Sequence, residues 1–217
     1  TRHRSTLIKY RTQAKNNLHA VLASYNLATP TSDTFGIKGR EYLEELMGEL
    51  RPAARRVIRD NLTMINRLEE QINDLEEEIP LTEEQAQNIR LLMSMPGVGK
   101  VTALVILSEI GHISRFNSSK ALCNWAGLTP RVRNSDSVVH HGKISKQGSA
   151  HLRSAMGQVA MVASRFSPRW YQVHEQLAKR TGKLKARVAV SRRLLSVIYF
   201  MLKRNQFYDK EYHLRRA

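Results

Sequence analysis

Leu92-Met93-Ser94-Met95-Pro96-Gly97-Val98-Gly99-Lys100-Val101-Thr102-Ala103-Leu104-Val105-Ile106-Leu107 reads as a helix, a tight Gly-Val-Gly turn and a second helix. The two glycines admit backbone angles closed to other residues while leaving peptide N–H groups uncovered. Those groups stand at the start of the next helix, where the dipole favours a phosphate oxygen. The pattern is that of a helix-hairpin-helix, which grips nucleic-acid backbones without reading bases. A plain tight turn between packed helices is the competing reading. Gly99-Lys100 also invites comparison with a nucleotide-binding P-loop. Ser94 stands where that motif needs glycine, however, and Val101 where it needs Ser or Thr, so the ATPase reading is rejected.

Downstream lies a tract dense in hydroxyls and cations, from Trp125-Ala126-Gly127-Leu128-Thr129-Pro130-Arg131 to Gly148-Ser149-Ala150-His151-Leu152-Arg153. Ser135, Ser137, Ser145 and Ser149 alternate there with Arg131, Arg133, Lys143, Lys146 and Arg153. Cations bind a phosphodiester and stabilise charge that develops on it, and a serine hydroxyl in the right place attacks it. The simpler reading is a loop that only holds phosphates. His140 and His141 suit proton transfer, but adjacent histidines are more often bystanders. Strand content over 129–144 is weak, with a short hairpin as one outcome. Cys123, within Ala121-Leu122-Cys123-Asn124-Trp125, reads as a core residue. A third basic block runs Lys179-Arg180-Thr181-Gly182-Lys183-Leu184-Lys185-Ala186-Arg187, with Arg192-Arg193 after it.

Upstream, Ile58, Ile65, Ile72 and Ile79 recur every seven residues with Leu68 and Leu75 between them. This predicts a long helix over 53–79 that forms a coiled coil or a helical hairpin arm. An amphipathic helix lying on its own domain is the alternative. Two further helices are predicted before it, over 7–27 and 38–50, with a turn-rich break from Ala28 to Gly36 between them. Pro80 ends the arm, and Thr82-Glu83-Glu84 starts another helix, its acids matched to the positive end of the dipole.

Charge divides the chain at about the same place. Residues 1–84 hold 12 Lys and Arg against 14 Asp and Glu, whereas residues 85–217 hold 23 against 5. So steep an excess in one segment points to a polyanion, and nucleic acid is the obvious one. The 217 residues contain one cysteine, which rules out an intrachain disulfide and zinc-finger spacing and fits a reducing compartment. No apolar run approaches the roughly 20 residues of a membrane span, and no signal core follows Thr1-Arg2-His3-Arg4. The expected fold is mainly α: linker helix and arm over 1–81, then a compact helical domain over 82–217.

Taken together, these blocks resemble the DEDD-type insertion-sequence transposases guided by a bridge RNA, relatives of the Piv pilin-gene invertases. The resemblance runs through Pro96-Gly97-Val98-Gly99, Ser108-Glu109-Ile110-Gly111-His112-Ile113-Ser114-Arg115-Phe116 and Trp125-Ala126-Gly127-Leu128-Thr129-Pro130-Arg131. It continues through Lys143-Ile144-Ser145-Lys146-Gln147-Gly148 to Leu152-Arg153, and Lys15-Asn16-Asn17-Leu18-His19 is similar to the segment that follows the family's nuclease-like domain.

The resemblance implies a composite site for cutting and joining DNA. Four acids of an RNase H-like domain, expected before Thr1, hold magnesium, and a serine after the Gly-Leu-Thr-Pro-Arg block becomes linked to DNA. The matching position is Ser135, followed here by Asp136 where the family has glycine; Ser137 ranks second and Ser145 third. Gly97, Gly99, Lys100, Arg131, Arg133, Lys143, Lys146 and Arg153 are the expected nucleic-acid contacts. No metal and no cofactor are expected on this chain itself, which alone should bind without strand transfer. DNA, a guide RNA and a second copy held through 53–79 are the expected partners, in a prokaryotic cytoplasm at the nucleoid, with no membrane involved. The rival readings are a non-catalytic helix-hairpin-helix protein dimerised by its arm, and a structural dimerisation module.

Overall fold

The computed structural model describes residues 1–77, 80–135 and 138–209, and for 132–135, 138–141 and 143 the description is of the backbone. The fold is mainly helical, as expected. In chain order come α1 (Arg2–Ser24), α2 (Ile37–Met47), α3 (Pro52–Glu77), α4 (Glu83–Met93), α5 (Lys100–Ile110) and a 3-10 turn (Ile113–Arg115). Then follow α6 (Ser119–Trp125), β1 (Pro130–Ser135), β2 (Val138–Ile144), α7 (Ala150–Phe166), α8 (Pro168–Thr181) and α9 (Lys183–Arg204). They form two compact units, Thr1–Ile79 and Pro80–Ala217.

In the first unit α3 begins at Pro52, whose fixed φ and missing N–H suit a first helical position. Its isoleucine seam is covered by α1 of the same chain. Ile58 packs in one cluster with Leu18 and Leu22, and Ile72 and Leu68 in another with Leu7, so the two helices run antiparallel. Ile65, between them, is fully buried. The seam is thus covered within its own unit, by α1 and, through Leu43 and Leu46, by α2, which is the alternative of an amphipathic helix lying on its own domain; Ile79 lies outside the described residues. Each buried isoleucine contributes about 1.5–3 kcal/mol. Glu69 then ties three helices: its carboxylate lies 3.6 Å from Arg11 Nη1, 3.7 Å from Lys15 Nζ and 3.3 Å from Arg40 Nη2.

In the second unit α9 is the central post, burying Val190, Leu194, Leu195, Ile198 and Met201 against the helices around it. Polar ties fix its register. Ser191 Oγ donates to the Met156 carbonyl at 3.1 Å, and Tyr199 Oη to the Phe116 carbonyl at 3.2 Å. Cys123 is in this core, its Sγ 3.4 Å from Ser196 Oγ, and burial pushes its thiol above the ordinary range. Thr82 starts α4 with a reciprocal cap: Gln85 N donates to Thr82 Oγ1 at 3.2 Å and Thr82 N to Gln85 Oε1 at 3.0 Å. Of the outcomes open over 129–144 the structure has the short hairpin, β1 and β2 pairing antiparallel from Pro130–Ile144 to Ser135–Val138.

Candidate nucleic-acid interface

The two glycines between α4 and α5 have different tasks. Gly97 has φ +87, and a Cβ there would stand 2.8 Å from the Val159 carbonyl oxygen and 3.1 Å from the Ala163 nitrogen. It is glycine because the turn lies flat on α7. Gly99 is extended (φ −94, ψ 172), and a Cβ there would meet nothing within 4 Å. Packing makes no demand for glycine at that position. Gly99 is the N-cap of α5 and makes no side-chain cap, and both it and Lys100 are exposed. The result is a helix start with no side-chain cap, a lysine at its first position and no acid in its first turn.

The serine tract is anchored at the other end of α7. Ser149 caps this helix, its Oγ accepting from Leu152 N at 3.0 Å. Just before it, residues 145–149 lie on the end of α6: Lys146 N donates to the Gly127 carbonyl at 3.2 Å and Ser145 N to the Thr129 carbonyl at 2.9 Å. From this base the hairpin β1–β2 projects. Its register shifts between Pro130 and Val132, putting Arg131 at an irregularity, and Arg131 Nη2 donates to the Ser145 carbonyl at 3.1 Å.

The expected site residues therefore separate. Ser135 closes the ladder opposite Val138, four residues and about 13 Å of strand beyond Arg131. Ser137 lies outside the described residues. Ser145 is only 9% exposed, and its Oγ is buried with no hydrogen-bond partner among the described residues, which is poor placement for a nucleophile. Arg133 stands opposite His140 in the ladder, and Lys143 lies in β2 near the base. Lys146 is exposed, in the left-handed region at φ +55.

Arg153 has been given structural work. Its Nη1 donates to the carbonyls of Ala126 at 3.1 Å, Gln147 at 3.4 Å and Gly148 at 3.0 Å, clasping the loop that carries the hairpin. Sequence reasoning placed Arg153 on phosphate because the carbonyls it holds converge only in the fold. The Gly97 turn touches α7 at 159–163 and the hairpin base at 149–153, so about 15 Å of helix axis separates them. That is roughly four to five base steps along a duplex.

The wider surface is cationic. Residues 150–204 hold twelve Lys and Arg against one carboxylate, Glu175, which His174 Nδ1 approaches at 3.2 Å. Every cation of the third sequence block, from Lys179 to Arg193, is exposed. Sequence reasoning missed Arg115, whose guanidinium lies 5.0 Å from the Phe116 ring centre and 4.9 Å from that of Trp125. Among the described residues no group of three or more His, Cys, Asp or Glu is placed to hold a metal ion, and no helix is long and apolar enough to cross a membrane.

Residues 89–175, from the end of α4 to the middle of α8, match the model of the Transposase IS116/IS110/IS902 family. The pilin gene-inverting protein of Moraxella bovis is 34% identical over 152 residues, 69% of this chain and 46% of that protein. The transposase for insertion sequence element IS1111A of Coxiella burnetii is 28% identical over 220 residues, 94% of this chain and 58% of that protein. An uncharacterized 43.6 kDa protein of insertion element IS110 from Streptomyces coelicolor is 32% identical over 143 residues, 65% of this chain and 34% of that protein. The chain spans about half the length of the curated relatives it matches. Residues 89–175, which hold the α4–α5 turn, the hairpin and the helix that carries both, are thus the part of the chain that is similar to the IS116/IS110/IS902 family of transposases.

Proposed function

We propose that this chain is the serine-bearing part of an RNA-guided DNA transposase, which binds DNA and guide RNA through their backbones and supplies Ser135 as the nucleophile. The observation that carries the binding half is the lopsided charge of 150–204, twelve cations to one carboxylate. A polyanion neutralises such a face and releases its counterions. The printed activities of the relatives, transposition and pilin-gene inversion, both involve cutting and rejoining DNA, and support the catalytic half.

Phosphate enters, in this reading, at two places on the second unit. Lys100 and the start of α5 meet one backbone stretch, as in a helix-hairpin-helix, and Arg131 and Lys146 at the hairpin base meet another. Arg133 and Lys143, on the strands, add charge around the strand that Ser135 would attack. There the serine oxygen bonds to phosphorus and gives up its proton, and a strand end leaves as a hydroxyl. A serine hydroxyl needs a base or metal for that proton. In this reading the magnesium that the resemblance implies would be held by the acids of the RNase H-like domain. Self-association through the arm would have to use a face of α3 other than the Ile58–Ile65–Ile72 seam, which α1 covers.

The experiment is a binding titration of the 217-residue chain on a DNA duplex as salt is raised. Affinity should fall at least about 100-fold between low and physiological ionic strength if several phosphates are neutralised. Affinity indifferent to salt would remove the backbone reading and favour a structural module.

A further inference from the structure

Two large aromatic side chains stand in the open at the corner between α7 and α8. Phe166, the last residue of α7, is 71% exposed, and Tyr171, in the first turns of α8, is 55% exposed. Ser167 alone separates the helices, ending one and starting the other, so the two rings are borne on one tight corner. That corner is fixed from beneath. Trp170 is buried, and its Nε1 donates to Tyr208 Oη at 3.0 Å.

A single exposed aromatic needs no explanation, but two on one corner within a cationic setting do. The Arg165 guanidinium lies 5.4 Å from the Phe166 ring centre and covers one face of that ring, which leaves the other face for a further partner. α8 begins with no acid in its first turn, α7 contains no carboxylate, and the Glu175 of α8 is beside His174. Such a place repels neither phosphate nor the π-face of a base. It suits a partner that carries both negative charge and accessible flat rings, which describes an unpaired strand; a duplex hides its base faces in its own stack.

We propose that Phe166 and Tyr171 form a stacking platform for unpaired bases of a single-stranded nucleic acid, with Arg165 and the start of α8 meeting its phosphates. This rests on the nucleic-acid reading above and adds to it a site for single strands, distinct in residues from the α5 start and the hairpin. Because both rings are exposed, removing them leaves the core intact.

The test measures binding of the full chain to an oligouridylate and an oligothymidylate of about 15 nucleotides, and to a blunt duplex of similar length. Phe166→Ala should weaken single-strand binding about tenfold and the Phe166→Ala, Tyr171→Ala double variant further, with duplex affinity and thermal midpoint unchanged. Phe166→Trp should restore stacking. The slope of affinity against salt should stay as in the parent, since no phosphate contact is lost. Loss on both oligonucleotides supports a platform blind to the sugar, and loss on one alone supports it and names RNA or DNA as its strand. Unchanged single-strand affinity, or an equal loss on the duplex, overturns the platform while the nucleic-acid reading stands. Displacement of the strand by an acidic peptide that the double variant no longer binds also overturns it, in favour of a protein partner. If the parent chain binds neither strand nor duplex, both readings fall together.

Discussion

A Cβ built on Gly148 would stand 1.9 Å from the carbonyl oxygen of Trp125. The backbone before α7 therefore lies directly on the end of α6, and the relation is reciprocal: a Cβ on Gly127 would stand 2.1 Å from the Gln147 carbonyl oxygen. Both glycines also have positive φ, +89 and +69. With Arg153 clasping the same turn, the hairpin is mounted on a rigid base rather than on a slack loop.

Gly148→Ala should accordingly cost about 2–4 kcal/mol, combining a left-handed backbone with a collision against main chain that no side-chain rotation relieves. Thermal unfolding of the chain would show it as a clear fall in midpoint. Retention of the parent midpoint would mean that the loop does not seat on α6 as described.

Much of this architecture was open to sequence reasoning because its causes are local. The sevenfold isoleucine spacing predicts α3 without any partner, and Thr82 with Gln85 announces the start of α4. What covers the seam was not open to it, because α1 lies about 50 residues upstream and its apolar face is compatible with several mates. The site shows the same division. Gly97 and Gly99 look equivalent in sequence, yet only Gly97 meets another helix. Ser145 and Arg153 carry the chemistry of a phosphate site, but one is buried and the other is committed to three carbonyls. Phe166 and Tyr171 belong to no sequence pattern, and exposure alone reveals them.

The seam gives a second prediction. Ile65 is fully buried between two helices of one chain, so Ile65→Asp should destabilise the first unit by more than about 3 kcal/mol, by placing a charge in an apolar contact. The fall in midpoint should be the same at low and high protein concentration. A loss that grows on dilution would show that the seam also holds a second copy.

The serines separate on burial. On the proposed function, Ser135→Ala in a transposase that contains this chain should abolish a covalent protein–DNA adduct while leaving DNA and RNA affinity within about twofold, since a hydroxyl contributes little to backbone binding. Ser145→Ala should leave the adduct and be neutral or stabilising by up to about 1 kcal/mol, because it removes a buried hydroxyl with no partner among the described residues. An adduct that survives Ser135→Ala and disappears with Ser137→Ala would move the nucleophile along the hairpin. Survival in all three single variants would end the serine mechanism.

The most direct test of backbone binding at the α5 start sets stability against affinity at Gly99. The position is extended, open and the N-cap of α5, so Gly99→Asp should preserve stability or raise it by up to about 1 kcal/mol, through a side-chain cap and a favourable charge at the dipole's positive end. The same carboxylate would repel phosphate. Gly99→Ser, which caps without charge, serves as the control. Titration of a DNA duplex at low salt should show affinity at least about tenfold weaker for Gly99→Asp than for Gly99→Ser, with thermal midpoints at or above the parent's. Equal affinities for the two folded variants would contradict the account and leave the α4–α5 turn as packing alone.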